Sequence, residues 1–323
     1  MSAVTDWRPA ATLAALRQRA DMLARMRDFF AARGVLEVET PVLSAAGVSD
    51  PQIESLATRV EGMRAPLFLC TSPEFHMKRL LAAGSGDIYQ LCRVFRDAER
   101  GRWHNPEFTL LEWYRLGFDD AAMMTEVEEL VARLLAPRRR LAPAERLTYA
   151  QALLRHAGVD AHTASERDLT LAAARHGIEC SARLARDARL DLLMALAAGP
   201  QLGRERPCFI CDYPASQASL ARLKPGLPPV AARFELYLDG IEIANGFHEL
   251  ANPGEQRDRF ARDLAIRRER GQIEPPADER LLAALAAGLP DCAGVALGFD
   301  RLVAIGLGAA ALAPAMAFPI ENA

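Results

Sequence analysis

Apolar residues recur at helical spacing over residues 12–33, at Leu13, Leu16, Ala20, Leu23, Met26, Phe29 and Phe30, and Gly34 follows as a stop signal. The next stretch, VLEVETPVLS, reads as extended, with Pro41 ending regular pairing. LFLCTS at 67–72 predicts a buried strand, and Pro73 opens an amphipathic helix, EFHMKRLLAAG. Two strands surround a loop between Arg96 and Tyr114, and residues 119–135 are helical again. Past Pro137-Arg138-Arg139-Arg140 the pattern changes. Residues 141–204 are rich in Ala, Arg and Leu with few β-branched residues, which predicts an inserted helical subdomain behind a solvated basic linker. Strand patterns return at 207–213 and 232–248, helices at about 254–270 and 277–287, and GVALGFDRLVAIGLG closes the core as a strand-to-helix unit. Strands and helices do not alternate regularly. The expectation is an α+β fold, an antiparallel sheet flanked by helices, in one domain over 1–323 with an insertion at about 141–204.

Composition narrows the function classes. Half of the 323 residues are hydrophobic, a quarter are charged and the net charge is −3, which argues against a basic nucleic-acid platform. No apolar run reaches the length of a membrane span, and MSAVTDWRPAATLAAL has no secretory apolar region. The expectation is a cytoplasmic protein with no membrane partner and no stable nucleic-acid partner. The cysteines, Cys70, Cys92, Cys180, Cys208, Cys211 and Cys292, are scattered. The lone CxxC at Cys208 and Cys211 lacks a second ligand pair, so core packing is the reading.

Two segments carry chemistry. Arg96–Tyr114, RDAERGRWHNPEFTLLEWY, concentrates arginines, a histidine, an asparagine, aromatic rings and carboxylates. Guanidinium and imidazole suit phosphate oxygens. Asn and an aromatic ring suit a purine. Glu107, Glu112 and the Tyr114 hydroxyl suit a cation. The second segment is RFELYLDGIEIANGFHE at 233–249. Asp239-Gly240 predicts a type I′ turn, so that Tyr237 faces Glu242 and Glu235 shares their face. Two carboxylates on one face repel unless a cation sits between them, and magnesium bridging to phosphates is the natural one. Glu249 falls on the other face unless a bulge, expected at Asn245-Gly246, restores it.

Taken together, TSPEFHMKRLLAAG (71–84), RVFRDAERGRWHNPEFTLLEWY (93–114), GIEIANGFHEL (240–250) and GVALGFDRL (294–302) resemble the catalytic domain of class II lysyl-tRNA synthetases. Arg33–Leu43 resembles the first class II motif, Arg96–Tyr114 the second and Gly294–Leu302 the third. The first motif begins too early for an anticodon-binding barrel. With GFHEL and PASQASLARL (214–223), this shorter form resembles the ligases that attach (R)-β-lysine to elongation factor P. The resemblance implies ATP and Mg2+, (R)-β-lysine or lysine as substrate, elongation factor P as protein partner and a homodimer through the Pro41 segment. It implies Arg96 on the α-phosphate, His104 near the β- and γ-phosphates, Asn105 and Phe108 on adenine, and Ile243 and Gly298 beside the nucleotide. Arg301 would cap the other adenine face and meet the γ-phosphate. Glu235 and Glu242 would hold magnesium. Ser72 and Glu74 would hold the substrate's backbone-side amine, and Tyr114, Glu249 and Glu112 its side-chain ammonium.

The sequence departs from the family twice. Arg96-Asp97 is followed by Ala98 where the family has Glu, with Glu99 one place later. Ala296 stands where lysyl-tRNA synthetases have Gly, which narrows the pocket beside the amine and favours β-lysine. A free-standing enzyme charging tRNA or another small acceptor, and a catalytically inactive lysine sensor, remain the alternatives.

Overall fold

A computed structural model describes residues 7–181 and 183–323, so the first six residues of the N-terminal segment and Ala182 of the expected insertion lie outside the described residues. The chain forms two compact units. One takes in residues up to Leu116, Ala251–Asp291 and Ala296–Ala323; the other takes in Gly117–Leu250 and Cys292–Val295. The main sheet is nine-stranded and largely antiparallel, and helices flank it.

In the first unit, helix Leu13–Ala31 starts at Thr12, whose hydroxyl accepts from the Ala15 N–H at 3.1 Å. Its buried stripe ends in Phe29 and Phe30. The Phe30 ring stacks on Tyr89, with centroids 4.3 Å apart, and meets Trp113 edge-on. These contacts seat the helix on the hairpin Ile88–Phe95 and Glu107–Leu116, in which Ile88 pairs with Tyr114, Gln90 with Glu112 and Val94 with Phe108. Side chains alternate along a strand. Trp113 and Thr109 therefore face the helix, and Phe108, Glu112 and Tyr114 share the opposite face. Arg19 from the same helix pairs with Asp300 at 2.5 Å and donates to the Thr109 hydroxyl at 2.8 Å. Asp300 also accepts the Thr109 N–H at 2.7 Å, which ties the hairpin to helix Phe299–Gly306.

Two strand expectations change here. The extended stretch around Pro41 yields only Leu36–Glu37, parallel to Ile88 and Tyr89, and Leu43–Ser44 in a separate three-stranded sheet. The expected strand at 67–72 spans only Leu67–Leu69. Pro73 has no N–H to pair, and the Ser72 hydroxyl accepts the Glu74 N–H at 3.0 Å, so the chain turns into helix Glu74–Ala82.

In the second unit, Val230–Leu238 lies between Ile241–His248 and Cys208–Pro214, antiparallel to both. The segment expected to be wholly helical opens instead with a strand, Glu145–Thr148, parallel to Cys208–Pro214. Four residues are too few to show a period in the sequence. Helices Tyr149–Ala157 and Glu166–Arg175 follow, each opened by a capping box, from Thr148 with Gln151 and from Ser165 with Asp168. Arg186–Leu193 runs on into a wider turn at Met194–Ala198. Leu147, Leu153, Leu169, Leu190 and Leu193 pack with Ile210 and Tyr213 into one core. The six cysteines are free thiols, and burial pushes Cys70 and Cys208 up to about 11. No helix among the described residues is long and apolar enough to cross a membrane.

Candidate active site

The first unit carries the arginine-rich loop. Arg96 leaves strand Ile88–Phe95, donates from Nε to the Thr71 carbonyl at 3.3 Å and lies over the Phe108 ring, 5.1 Å from its centroid. Ala98 adopts a left-handed φ of 61°, and Glu99 then reaches Arg96 at 3.3 Å. The loop closes on itself between Gly101 and His104. The His104 ring reaches solvent, yet its pKa lies below the usual 6.5. Partial burial is the larger cause and the Arg301 charge the next; Glu99 pulls the other way. Arg301 donates from Nε to the Trp103 carbonyl at 3.1 Å, so Arg96, His104 and Arg301 gather at one loop. A Cβ at Gly298 would meet only the Arg301 side chain, at 3.6 Å. Asn105, which the resemblance places on adenine, is tied into the loop. Its Nδ2 donates to the Glu107 carbonyl at 2.6 Å and its Oδ1 accepts the Ile320 N–H at 3.0 Å, so the side chain holds the loop.

On the even-numbered face of the hairpin, Glu112 is 2% exposed and accepts from the Ser72 hydroxyl at 2.7 Å and the Tyr114 hydroxyl at 2.8 Å. Ser72, Glu112 and Tyr114 thus form one polar cluster. Glu74 pairs with Lys78, one turn on, at 2.6 Å. Sequence reading missed Lys78, which is 2% exposed; the i,i+4 spacing of Glu and Lys was the available signal. Ala296 and Gly298 are the more exposed positions of strand Cys292–Gly298, alternating with buried Val295 and Leu297.

The second unit carries the carboxylate hairpin. Asp239 and Gly240 both have positive φ, 54° and 79°, as a type I′ turn requires, and Tyr237 pairs with Glu242. The bulge lies two residues earlier than expected. Leu236 pairs with Ala244 and Tyr237 with Glu242, which leaves Ile243 as the extra residue. Gly246 has another reason: a Cβ there would lie 2.4 Å from the Phe234 ring and 2.8 Å from the Gly294 carbonyl. The bulge flips the parity as anticipated. Asn245 faces Glu235 and Phe247 faces Arg233, so Glu249, continuing the alternation, falls on the face of Glu235 and Glu242. Glu249 is 1% exposed, and its backbone is held by the Cys292 carbonyl at 3.0 Å and by Arg222 at 3.1 Å.

Sequence reading also missed the partners of Glu235. One oxygen accepts from Arg233 at 2.6 Å and the other from the Tyr237 hydroxyl at 2.8 Å, while Arg233 lies over the Tyr213 ring at 4.3 Å. Burial opposes the Arg233 charge, but Glu235, Tyr213 and Glu242 outweigh it and raise its pKa. Burial, then the charges of Glu235 and Glu242, hold the Tyr237 phenol protonated. A carboxylate has about four acceptor positions, so Glu235 retains acceptor capacity. On this face Glu235, Glu242 and Glu249 outnumber the guanidinium of Arg233, which leaves negative charge in excess. Magnesium fits such a donor set, with its remaining ligands coming from phosphate and water. Among the described residues no three His, Cys, Asp or Glu side chains gather to hold a metal alone.

A family model described as tRNA synthetases class II (D, K and N) matches residues 2–322. A curated relative from Vibrio cholerae serotype O1, named elongation factor P–(R)-beta-lysine ligase, is 50% identical over 325 residues, covering 99% of each chain. Another of that name, from Salmonella typhi, is 49% identical over 329 residues, covering 100% of each. The resemblance carried by the three motifs thus extends along the whole chain, which belongs to the class II tRNA synthetases of the D, K and N group.

Proposed function

We propose that this chain activates (R)-β-lysine with ATP and transfers it to a lysine ε-amine of elongation factor P. The observation that carries this reading is the end-to-end match, at about half identity, to relatives that bear the name of that ligase. The substrate carboxylate attacks the α-phosphorus in line. The bond to the bridging oxygen breaks, and pyrophosphate leaves with an acyl-adenylate formed. The neutral amine of the acceptor lysine then attacks the acyl carbon, loses a proton and expels AMP. The protein's part is positioning and charge stabilisation. Arg96, stacked on Phe108, takes the α-phosphate, and Arg301 and His104 take the outer phosphates. Glu242 and Glu235 hold magnesium, which neutralises phosphate charge when bound. The Ser72–Glu112–Tyr114 cluster, Glu74 and Glu249 take the amines of the substrate. The first-motif segment exposes Leu36, Val42 and Leu43, and a homodimer through it would cover them. The enzyme works in the cytoplasm.

Intact-mass measurement of elongation factor P after incubation with this protein, ATP, Mg2+ and (R)-β-lysine tests the reading. The expected result is addition of one lysyl group with release of AMP. Charging of tRNA with the factor left unmodified would overturn it.

His104 supplies a pH test. Its pKa in the free protein is below 6.5, so near neutrality it is uncharged. A triphosphate beside it offsets the Arg301 and Arg96 charges and raises that pKa. Between the lowered and raised values, binding takes up a proton, and ATP affinity grows as pH falls through that window. Calorimetric titration at pH 6.5 in two buffers of different ionisation heat should show buffer-dependent enthalpy, absent in His104→Gln. Equal enthalpies for the unmodified protein would remove His104 from the phosphates.

A further inference from the structure

Helix Pro253–Arg270 ends in a basic turn at Gly271. Arg268 pairs with Glu274 at the surface, but Arg267 turns inward and is 1% exposed. Its Nε donates to the Ser49 carbonyl at 2.9 Å. One terminal nitrogen donates to the Asp50 carbonyl at 2.9 Å and to that of Ile53. The other meets the Ile273 carbonyl at 3.0 Å and the Glu54 carboxylate at 3.2 Å. Gln272 adds bonds to the Pro51 carbonyl at 3.0 Å and to Glu54 at 2.7 Å. Buried carbonyls need donors, and this irregular segment draws several of its donors from one guanidinium. The gathered segment then does something specific. The Glu54 carbonyl accepts the Asp97 N–H at 2.9 Å, as an isolated antiparallel bridge. Asp97 directly follows Arg96 and precedes the left-handed Ala98.

We propose that Arg267 is a positioning residue for the Arg96 loop: by gathering residues 49–54 it presents the Glu54 carbonyl to Asp97 and so sets where the loop leaves its strand. The proposal rests on the reading that this loop holds the nucleotide. An arginine is required because its fork offers five donors in fixed directions, whereas a lysine ammonium offers three at one point.

The test compares the full-length protein with Arg267→Lys, and with Gln272→Ala, which leaves the guanidinium in place and keeps the proposal testable if the first variant does not fold. Steady-state pyrophosphate exchange gives kcat and both KM values, and amide hydrogen exchange follows residues 95–101. In Arg267→Lys the KM for ATP should rise about tenfold, since small misplacements of a positioning group have effects of this size or larger. The KM for the amino acid should stay within about twofold, and exchange across 95–101 should quicken. Gln272→Ala should show the same pattern at about threefold. An unchanged KM for ATP, or unchanged exchange across 95–101, in every variant that folds would overturn the proposal. If the unmodified protein exchanges no pyrophosphate with any lysine, the functional reading fails, while the amide-exchange comparison still decides whether Arg267 positions the loop.

Discussion

Glu242→Gln is expected to lower ATP–pyrophosphate exchange by roughly 10²- to 10³-fold, a loss of about 3–4 kcal/mol of the several that a bound cation supplies to phosphate chemistry. The melting temperature should stay within about 2 °C, as for an isosteric change at a half-buried position that opens no cavity. Glu242 pairs across the hairpin with Tyr237, and its charge acts on both Arg233 and Tyr237. Replacing it by the isosteric amide removes one negative charge from a face on which Glu235, Glu242 and Glu249 outnumber the Arg233 guanidinium. The excess that would attract a cation shrinks. Glu235 is the poorer target. Both its oxygens accept bonds, and removing its charge would strand the buried Arg233. Exchange measured across a magnesium titration separates the two ways Glu242 could act. Partial recovery at high magnesium is the expected behaviour of a weakened metal site. Near-wild-type exchange at low magnesium would show that Glu242 does not hold the metal.

The hairpin shows where a sequence suffices and where it does not. Asp239-Gly240 between alternating strands predicts a type I′ turn, and the turn forms with Tyr237 opposite Glu242, because both positive-φ positions carry residues that tolerate them. The need for a bulge was legible from parity alone, since Glu249 could reach the face of Glu235 in no other way. Its place was not. Asn-Gly is a strong local turn signal, but Gly246 answers the Phe234 ring across the hairpin and the carbonyl of Gly294, which is far away in the chain. The extra residue is Ile243, an apolar residue with no local mark. The same limit explains the missed partners. Lys78 sits four residues from Glu74 and could have been found by spacing. Arg267 could not. Its acceptors lie more than 200 positions earlier, apart from the nearby Ile273 carbonyl. Residue type names a chemistry, and only packing shows what else a side chain holds: Asn105 also donates to the Glu107 carbonyl and accepts the Ile320 N–H.

Glu249→Ala is expected to weaken binding of the amino acid by roughly 10²- to 10⁴-fold, corresponding to the ~3–5 kcal/mol lost when one member of a buried ion pair is removed. The KM for ATP should change by less than about threefold, because an ammonium-binding carboxylate has no part in phosphate binding. The bulge at Ile243 turns Glu249 to the face that carries Glu235 and Glu242, and the residue is 1% exposed. A buried carboxylate is a matching acceptor for an ammonium, and a lysine-like substrate brings one. The backbone at 249 is held independently of the side chain, through the Cys292 carbonyl, Arg222 and the bridge to Ala221. Truncation should therefore leave the strand end in place, and a melting curve checks this. Glu249→Gln sharpens the test, since the amide retains the shape and an acceptor oxygen but not the charge. If electrostatics governs the site, the amide should recover no more than about tenfold of the lost affinity, as a neutral hydrogen bond is worth ~1 kcal/mol. Titration of (R)-β-lysine at saturating non-hydrolysable ATP gives the comparison directly. Unchanged amino-acid affinity in both folded variants would remove Glu249 from the substrate and return it to a structural role at the strand end.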